Sequence, residues 1–343
     1  MVRLFSADTA NDVWTQAAEA LTTKDVISQP GRGGPTRELL RSVFEISDPT
    51  QRWVSSRSPA INPAFAIAEV IWILCGRRDA SFLTYFNRSL KKFAGDLPEY
   101  PGAYGYRLRY NLGFDQLERA YHALSACRDS RQIVLQIWDG RSDLPRDDGR
   151  PQSTDEPCNI VALLKVRNDR LEWTQILRSN DLFLGVPYNF VQFTTLQEIL
   201  AGWLGVGIGA YVQLSDSLHV YDRDVGAIVK FRRDPAPPRN VDSLLLSKSD
   251  SDRVFTELSR VIDRLREDRG TRLLQTSDVG SVDLPPEYRN LLSIVWAEAA
   301  RRSDLREVAQ RAVEACTNPV LTALWGRWAS ERDSAGSGCG TPV

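Results

Sequence analysis

The stretch Asn159-Ile160-Val161-Ala162-Leu163-Leu164-Lys165-Val166-Arg167-Asn168-Asp169-Arg170-Leu171-Glu172-Trp173-Thr174-Gln175-Ile176-Leu177 decides the fold class. Two runs rich in β-branched and aromatic residues flank Arg167 to Arg170, a polar link of hairpin length, so the runs are expected to pair antiparallel. Gln132-Ile133-Val134-Leu135-Gln136-Ile137-Trp138 has the same character and adds a third strand. Downstream, residues 190–204 read as a helix and residues 210–214 as another strand.

Working outward toward the N-terminus, Ser42-Val43-Phe44-Glu45-Ile46 alternates as a half-buried strand should. Gly31-Arg32-Gly33-Gly34-Pro35 sets three glycines and a proline around one arginine, the composition of a mobile loop. Residues 13–21, 80–92 and 114–127 have helical patterns, and Pro63 opens a strongly apolar core helix over residues 64–75. A proline- and glycine-rich turn is expected over residues 96–102. Past residue 230 the composition shifts. Residues 233–239 are rich in proline and charge, and three or four amphipathic helical patterns follow over residues 252–328. Residues 334–343 are glycine-rich and are expected to form a flexible tail. The reading is an α+β fold: a large, twisted, mostly antiparallel sheet flanked by helices in residues 1–230, then a helical C-terminal extension over residues 231–333.

The 343 residues are 42% hydrophobic and 25% charged, which suits a globular chain able to bury a sizeable core. With 43 basic and 44 acidic residues the formal net charge is -1, so no bulk field draws the chain to nucleic acid or an anionic membrane. No apolar run reaches the roughly 18 residues of a bilayer crossing, and the opening segment lacks the apolar core of a secretory signal, so a cytoplasmic location is expected. Five cysteines (75, 127, 158, 316, 339) show neither C-x-x-C spacing nor a disulfide framework, and two histidines, His122 and His219, argue against a zinc site.

Most cysteines fall on apolar patterns and read as small buried hydrophobes. Cys158 follows Asp155-Glu156-Pro157 where a polar loop meets an apolar strand, so its thiol can be presented at a fixed point. A nearby cation would lower its pKa and make it a nucleophile. Arg178-Ser179-Asn180-Asp181, followed by Leu184-Gly185-Val186-Pro187-Tyr188-Asn189, places an arginine, a hydroxyl and two amides between a strand end and a helix, which suits a phosphate and a polar heterocycle. His219 and Tyr221 alternate on one strand face and point the same way. Each motif alone has a structural reading: a buried thiol, a capped turn, a satisfied histidine.

Taken together, residues 32–224 resemble the thymidylate synthase family, which includes the pyrimidine nucleotide hydroxymethylases. The pieces occur in the family's order: Gly33 to Leu39 like the phosphate loop, Ala68 to Gly76 like the helix of the catalytic glutamate, Gly102-Ala103-Tyr104-Gly105, Asp129-Ser130-Arg131, Pro157-Cys158-Asn159, Arg178 to Asn189, and His219-Val220-Tyr221. The resemblance implies that Cys158 adds to C6 of a pyrimidine nucleoside monophosphate and activates C5. Glu69 would organise proton transfer through water, Tyr104 would help remove the C5 proton, and Arg178 would favour the thiolate. Arg32, Arg178, Ser179 and, from a second subunit of a homodimer, Arg131 would hold the phosphate. His219 and Tyr221 would bind the sugar. Trp72, Asp181, Leu184, Gly185 and Tyr188 would place the reduced folate, 5,10-methylenetetrahydrofolate. Asn189 would read the base, with uracil favoured over cytosine.

Departures from the family pattern concern phosphate binding, at Gln132, and the second half of the reaction, at the other positions. Gln132 replaces the second of two cross-subunit arginines, Arg88-Ser89-Leu90-Lys91-Lys92-Phe93 lacks the family's tryptophans, and Asn159 stands in place of a histidine. The C-terminal extension replaces the family's short closing tail. A wetter pocket would favour hydroxymethylation of dUMP or UMP over reductive methylation. Methylation of dUMP, hydroxymethylation of CMP or dCMP, and a catalytically dead nucleotide- or RNA-binding relative are the alternatives.

Overall fold

The computed structural model describes residues 2–23, 25–31, 33–230, 237–267 and 271–337. Eight strands form one sheet: β1 (Arg3–Ala7), β2 (Ile27–Gln29), β3 (Thr36–Ile46), β4 (Ile133–Gln136), β5 (Asn159–Arg167), β6 (Arg170–Leu177), β7 (Asn180–Asp181) and β8 (Gly207–Tyr221). Their order is β1-β3-β8-β6-β5-β4, with β2 on β3 and β7 on β8. The expected β5–β6 hairpin is present, and Asn168 and Asp169 both adopt positive φ (49° and 54°), the backbone a two-residue turn needs to match strand twist. The sheet is mixed: β3–β8, β2–β3 and β4–β5–β6 are antiparallel, while β1–β3, β6–β8 and β7–β8 are parallel. The parallel β6–β8 pairing follows from a helical crossover between those strands.

In the sheet-bearing part the helices are α1 (Ala10–Leu21), α2 (Pro63–Leu74), α3 (Ala80–Phe86), α4 (Leu90–Ala94), α5 (Tyr104–Arg109), α6 (Gln116–Ala126), α7 (Gly140–Asp143), α8 (Val186–Leu204) and α9 (Asp222–Val229). The extension contributes α10 (Lys248–Glu267), α11 (Thr271–Thr276), α12 (Pro286–Arg302), α13 (Arg306–Glu314) and α14 (Pro319–Ser337). Residues 80–92, expected as one helix, divide into α3 and α4, and Asn87 at the break is extended (φ -141°). Helix α14 runs through Ser337, so residues 334–337 are helical where a tail was expected; residues 338–343, including Cys339, lie outside the described residues.

Helices α1 and α8 pack on one face of the sheet, α2 packs on α8, and α10, α12 and α14 pack on α2. Helix α2 is therefore enclosed between the two parts of the chain. Its start is fixed by Asn62, whose side chain accepts from the Phe65 N–H at 3.1 Å, and by Pro63 in the first turn. Apolar residues on nearly every side of α2 are buried, each worth about 1.5–3 kcal/mol for the larger side chains. Residues 237–247 strap the extension to α8: the Leu244 N–H donates to Glu198 Oε1 at 2.7 Å, and Glu198 pairs with buried Arg52. The opposite face of the sheet carries half-buried Val43, Val161, Leu163, Ile176, Val212 and Leu214. No described helix is long and apolar enough to cross a membrane.

Candidate active site

Cys158 stands one residue before β5, beside the end of β6. The Arg178 N–H donates to the Cys158 carbonyl at 3.0 Å, so the two residues are fixed side by side by the strand pairing. Arg178 Nε donates to the Pro157 carbonyl at 3.1 Å, and its guanidinium lies 5.3 Å from the centre of the Trp138 ring. The Arg178 side chain is thus anchored on the residue before Cys158, with Glu156 Oε2 4.0 Å from its Nη2.

Tyr104 reaches the thiol from α5. Gly105 makes this approach possible, because a Cβ there would lie 2.2 Å from the Ile73 carbonyl oxygen of α2. Burial pushes the Tyr104 phenol well above its usual range and the neighbouring Cys158 adds to that, while Asn159 works the other way. Asn159 is fully buried, and its Oδ1 accepts from Gln175 Nε2 at 3.0 Å.

Glu69 is the single acidic residue of α2 and faces the same centre. Burial raises its pKa to about 7, with the Gln192 amide partly opposing. Its Oε2 is buried without a hydrogen-bond partner among the described residues. A buried acceptor left open in this way is expected where a water or ligand completes the site.

Strand β7 places Asn180 and Asp181 beside Leu218 and His219 of β8. Asp181 Oδ1 accepts from the Phe183 and Leu184 N–H groups at 2.8 and 2.9 Å, whereas Oδ2 is buried without a hydrogen-bond partner among the described residues. Burial raises the Asp181 pKa, opposed by the Leu184 N–H and the His219 ring. Ser179 Oγ lies 3.4 Å from His219 Nδ1, and the His219 and Tyr221 rings meet edge-on with centroids 5.5 Å apart. The loop before β3 lies against Tyr221 so closely that a Cβ at Gly33 would stand 2.8 Å from the Tyr221 hydroxyl. Arg32, within that loop, lies outside the described residues.

Asn189, in the first turn of α8, donates Nδ2 to Asn180 Oδ1 at 3.0 Å, and Asn180 Nδ2 donates to Ser215 Oγ at 3.3 Å. Tyr188 accepts the Asn62 N–H at 3.0 Å and packs edge-on to Phe65. Leu184 and Gly185 lie in the Asp181 turn. Trp72 is turned toward the far end of α2, where its indole N–H donates to the Asp79 carbonyl at 3.1 Å.

Arg131 is exposed at the opposite end of β4. Since Ile133 pairs with Leu164, Arg131 is level with Val166, eight residues along β5 from Cys158. At strand rise that is roughly 25 Å. Arg131 therefore cannot serve the site of its own chain.

Arg57 and Gln192 lie in this region outside every motif, and the structure gives Asp155 a bond that the sequence does not announce. Arg57 is buried, donating Nε to the Phe183 carbonyl at 2.8 Å with its guanidinium 3.9 Å from the Phe183 ring centre. Asp155 accepts from the Gly102 N–H at 2.7 Å and so ties the Cys158 loop to the segment that starts α5. Arg57 and Gln192 have no sequence signal of their own, because each is defined by a partner more than a hundred residues away, Phe183 and Glu69.

The sequence profile of the thymidylate synthase family matches residues 50–274. A deoxyuridylate hydroxymethyltransferase of Bacillus phage SP01 is 38% identical over 207 residues, covering 57% of this chain and 53% of that protein. One of Pseudomonas phage M6 is 36% identical over 199 residues, covering 57% of this chain and 55% of its own. The chain thus spans about half the length of these relatives. With more than half of its residues matched by the family profile, the chain belongs to the thymidylate synthase family.

Proposed function

We propose that the protein transfers a one-carbon unit to C5 of a pyrimidine nucleoside monophosphate, with deoxyuridine monophosphate as substrate and a 5-hydroxymethyl product. The carrying observation is the convergence of Cys158, Tyr104 and Glu69 on one centre, with Arg178 beside the thiol and Asn189 oriented from α8. The names of the two phage relatives supply the uracil base, the deoxyribose and the hydroxymethyl outcome as the reading to test.

In this reading the Cys158 thiolate adds to C6 of the base, and the C5–C6 bond electrons pass toward C5 and O4. Glu69, with a pKa near neutrality, holds or releases a proton at the base through water. Tyr104 helps remove the C5 proton. Asn189 is oriented by Asn180 to keep its Oδ1 free to accept from the N3–H of uracil while its remaining N–H donates to O4. Arg178 and Ser179, with Arg131 from a second copy, hold the phosphate; Arg32 belongs to the same set by resemblance. The half-buried apolar face of the sheet suits a homodimer that would bring Arg131 across.

5,10-Methylenetetrahydrofolate supplies the one-carbon unit when bound. Asp181 fits this cofactor: a buried carboxylate with one oxygen held by two backbone N–H groups and the other open matches the N–H edge of a pterin. Leu184, Gly185 and Tyr188 would line the same place. With Asn159 instead of histidine and without the family's tryptophans, water would add to the exocyclic methylene left at C5 once the C5 proton is lost and tetrahydrofolate has departed. The electron pair would return through C5 and C6 and break the Cys158–C6 bond, releasing the thiolate and the 5-hydroxymethyl product.

The test is incubation of the purified protein with methylenetetrahydrofolate and each of dUMP, UMP, dCMP and CMP, followed by mass spectrometry of the products and absorbance for dihydrofolate. A 5-hydroxymethyl product from dUMP without dihydrofolate is expected. Stoichiometric dihydrofolate with a methylated product would sink the hydroxymethyl assignment, and product from a cytosine nucleotide alone would sink the base assignment.

A further inference from the structure

Helix α14 of the extension grips the segment that leads into α2. Arg327 donates Nη2 to the Arg57 carbonyl at 3.0 Å and Nη1 to the Ser55 carbonyl, and Glu331 Oε2 accepts the Ala60 N–H at 2.6 Å. Arg327 and Glu331 are four residues apart and so project from one face of the helix. Residues 55–60 are held at both ends by that face. Inside the held loop, Arg57 turns inward, donating Nε to the Phe183 carbonyl at 2.8 Å and Nη1 to the Pro59 carbonyl at 2.6 Å. The Phe183 N–H in turn holds Asp181 Oδ1 at 2.8 Å. An unbroken series of contacts therefore runs from α14 through Arg57 to the carboxylate whose second oxygen is open.

Helix α14 is itself fixed from behind. Arg301 of α12 lies 4.9 Å from the Trp328 ring centre and is bonded to buried Glu298, while Leu321, Leu324 and Trp325 are in the core. A side chain carried on such a scaffold keeps its geometry, whereas one on a chain end must be ordered at each binding event.

We propose that Arg327 and Glu331 are positioning residues: through the 55–60 loop and Arg57 they set the Asp181 turn, so that the extension forms a fixed wall on the folate side of the site. This rests on the reading of Asp181 as the folate acceptor.

The test compares Glu331→Ala, Glu331→Gln and Arg327→Ala with the wild type in full-length protein, measuring kcat and KM for each substrate and Tm. Glutamine keeps an acceptor for the Ala60 N–H; alanine does not. Glu331→Ala is expected to raise KM for methylenetetrahydrofolate about tenfold, the scale of one charge-assisted hydrogen bond, with the nucleotide KM unchanged. Glu331→Gln should recover most of that loss, and Arg327→Ala should resemble Glu331→Ala. Equal effects on both substrates, no effect on either, or a glutamine variant no better than alanine would overturn the proposal. Loss of the folded state in both alanine variants would also overturn it, because the helix would then be scaffold alone. If the wild type shows no folate-dependent turnover, the reading of the site fails first, and that result is distinct from all of these.

Discussion

Carboxylates at the candidate site and in the helical extension are satisfied to different degrees. Around the candidate site, Glu69 and Asp181 each keep one carboxylate oxygen buried without a hydrogen-bond partner among the described residues. In the extension, Asp242 accepts from Asn290 at 3.0 Å and Asn318 at 2.7 Å, and fully buried Glu298 is bonded to Arg301 at 2.9 Å with Arg302 alongside. A satisfied buried carboxylate holds a fold together; one left half-satisfied costs stability until something else completes it. The contrast sets two carboxylates left open at the candidate site apart from carboxylates that are closed into the packing of the extension.

The contrast can be attacked at its strongest point first. Cys158→Ala should abolish turnover, by at least about 10⁴-fold if the thiol is the nucleophile, while equilibrium nucleotide binding persists. Loss of binding and turnover together would make Cys158 a packing residue like Cys316. Glu69→Gln should cost about 10²- to 10⁴-fold in kcat, the range for a positioned proton-transfer group. It should also remove a pH inflection near 7 from the rate profile, as expected from a carboxyl whose pKa burial raises to about 7.

That raised pKa carries a stability consequence with a definite sign. Between the ordinary value of 4.5 and about 7, folded Glu69 keeps a proton that the unfolded chain has lost. Stability contributed by this group therefore falls as pH rises through that window, by on the order of 3 kcal/mol, and Glu69→Gln should flatten the dependence in chemical denaturation.

Leu292→Ala in α12 tests the extension's rigidity. Leu292 is completely buried, so a loss of about 2–5 kcal/mol is expected. Because α2 is enclosed by α8 on one side and by α10, α12 and α14 on the other, unfolding should remain a single transition reported alike by every probe. Two separated transitions would break the view that the parts share a core. Asn189→Asp should shift preference from uracil toward cytosine nucleotides by about 10- to 100-fold, the scale of one or two mispaired hydrogen bonds, read from the ratio of kcat/KM values. The smallest effect is expected from Gln132→Arg at the exposed end of β4: a few-fold lower nucleotide KM, since an added cation there is partly screened. An unchanged KM, with a dimer confirmed by light scattering, would place residue 132 away from the phosphate.

Much of the site was legible in the sequence because its groups lie in short motifs at element boundaries. Cys158 precedes β5, Arg178 to Asp181 follow β6, Asn189 opens α8, and His219 and Tyr221 alternate along β8. Strand and helix periodicity are enough to say which of these share a face or an end. The break between α3 and α4 was not legible, because the polar run at residues 87–89 is compatible with helix until tertiary packing selects an extended Asn87.

Local pattern in the sequence was enough for the α+β class, the β5–β6 hairpin and the apolar identity of α2. Which groups face one another depended on the closed chain. Arg57 reaches Phe183, 126 residues away, and Glu331 reaches Ala60, 271 residues away. The parallel β6–β8 pairing, the enclosure of Glu69 that raises its pKa, and the grip of α14 on the 55–60 loop are of the same kind. Each is a desolvation or pairing effect between segments far apart along the chain, and such effects exist only once the chain has closed on itself.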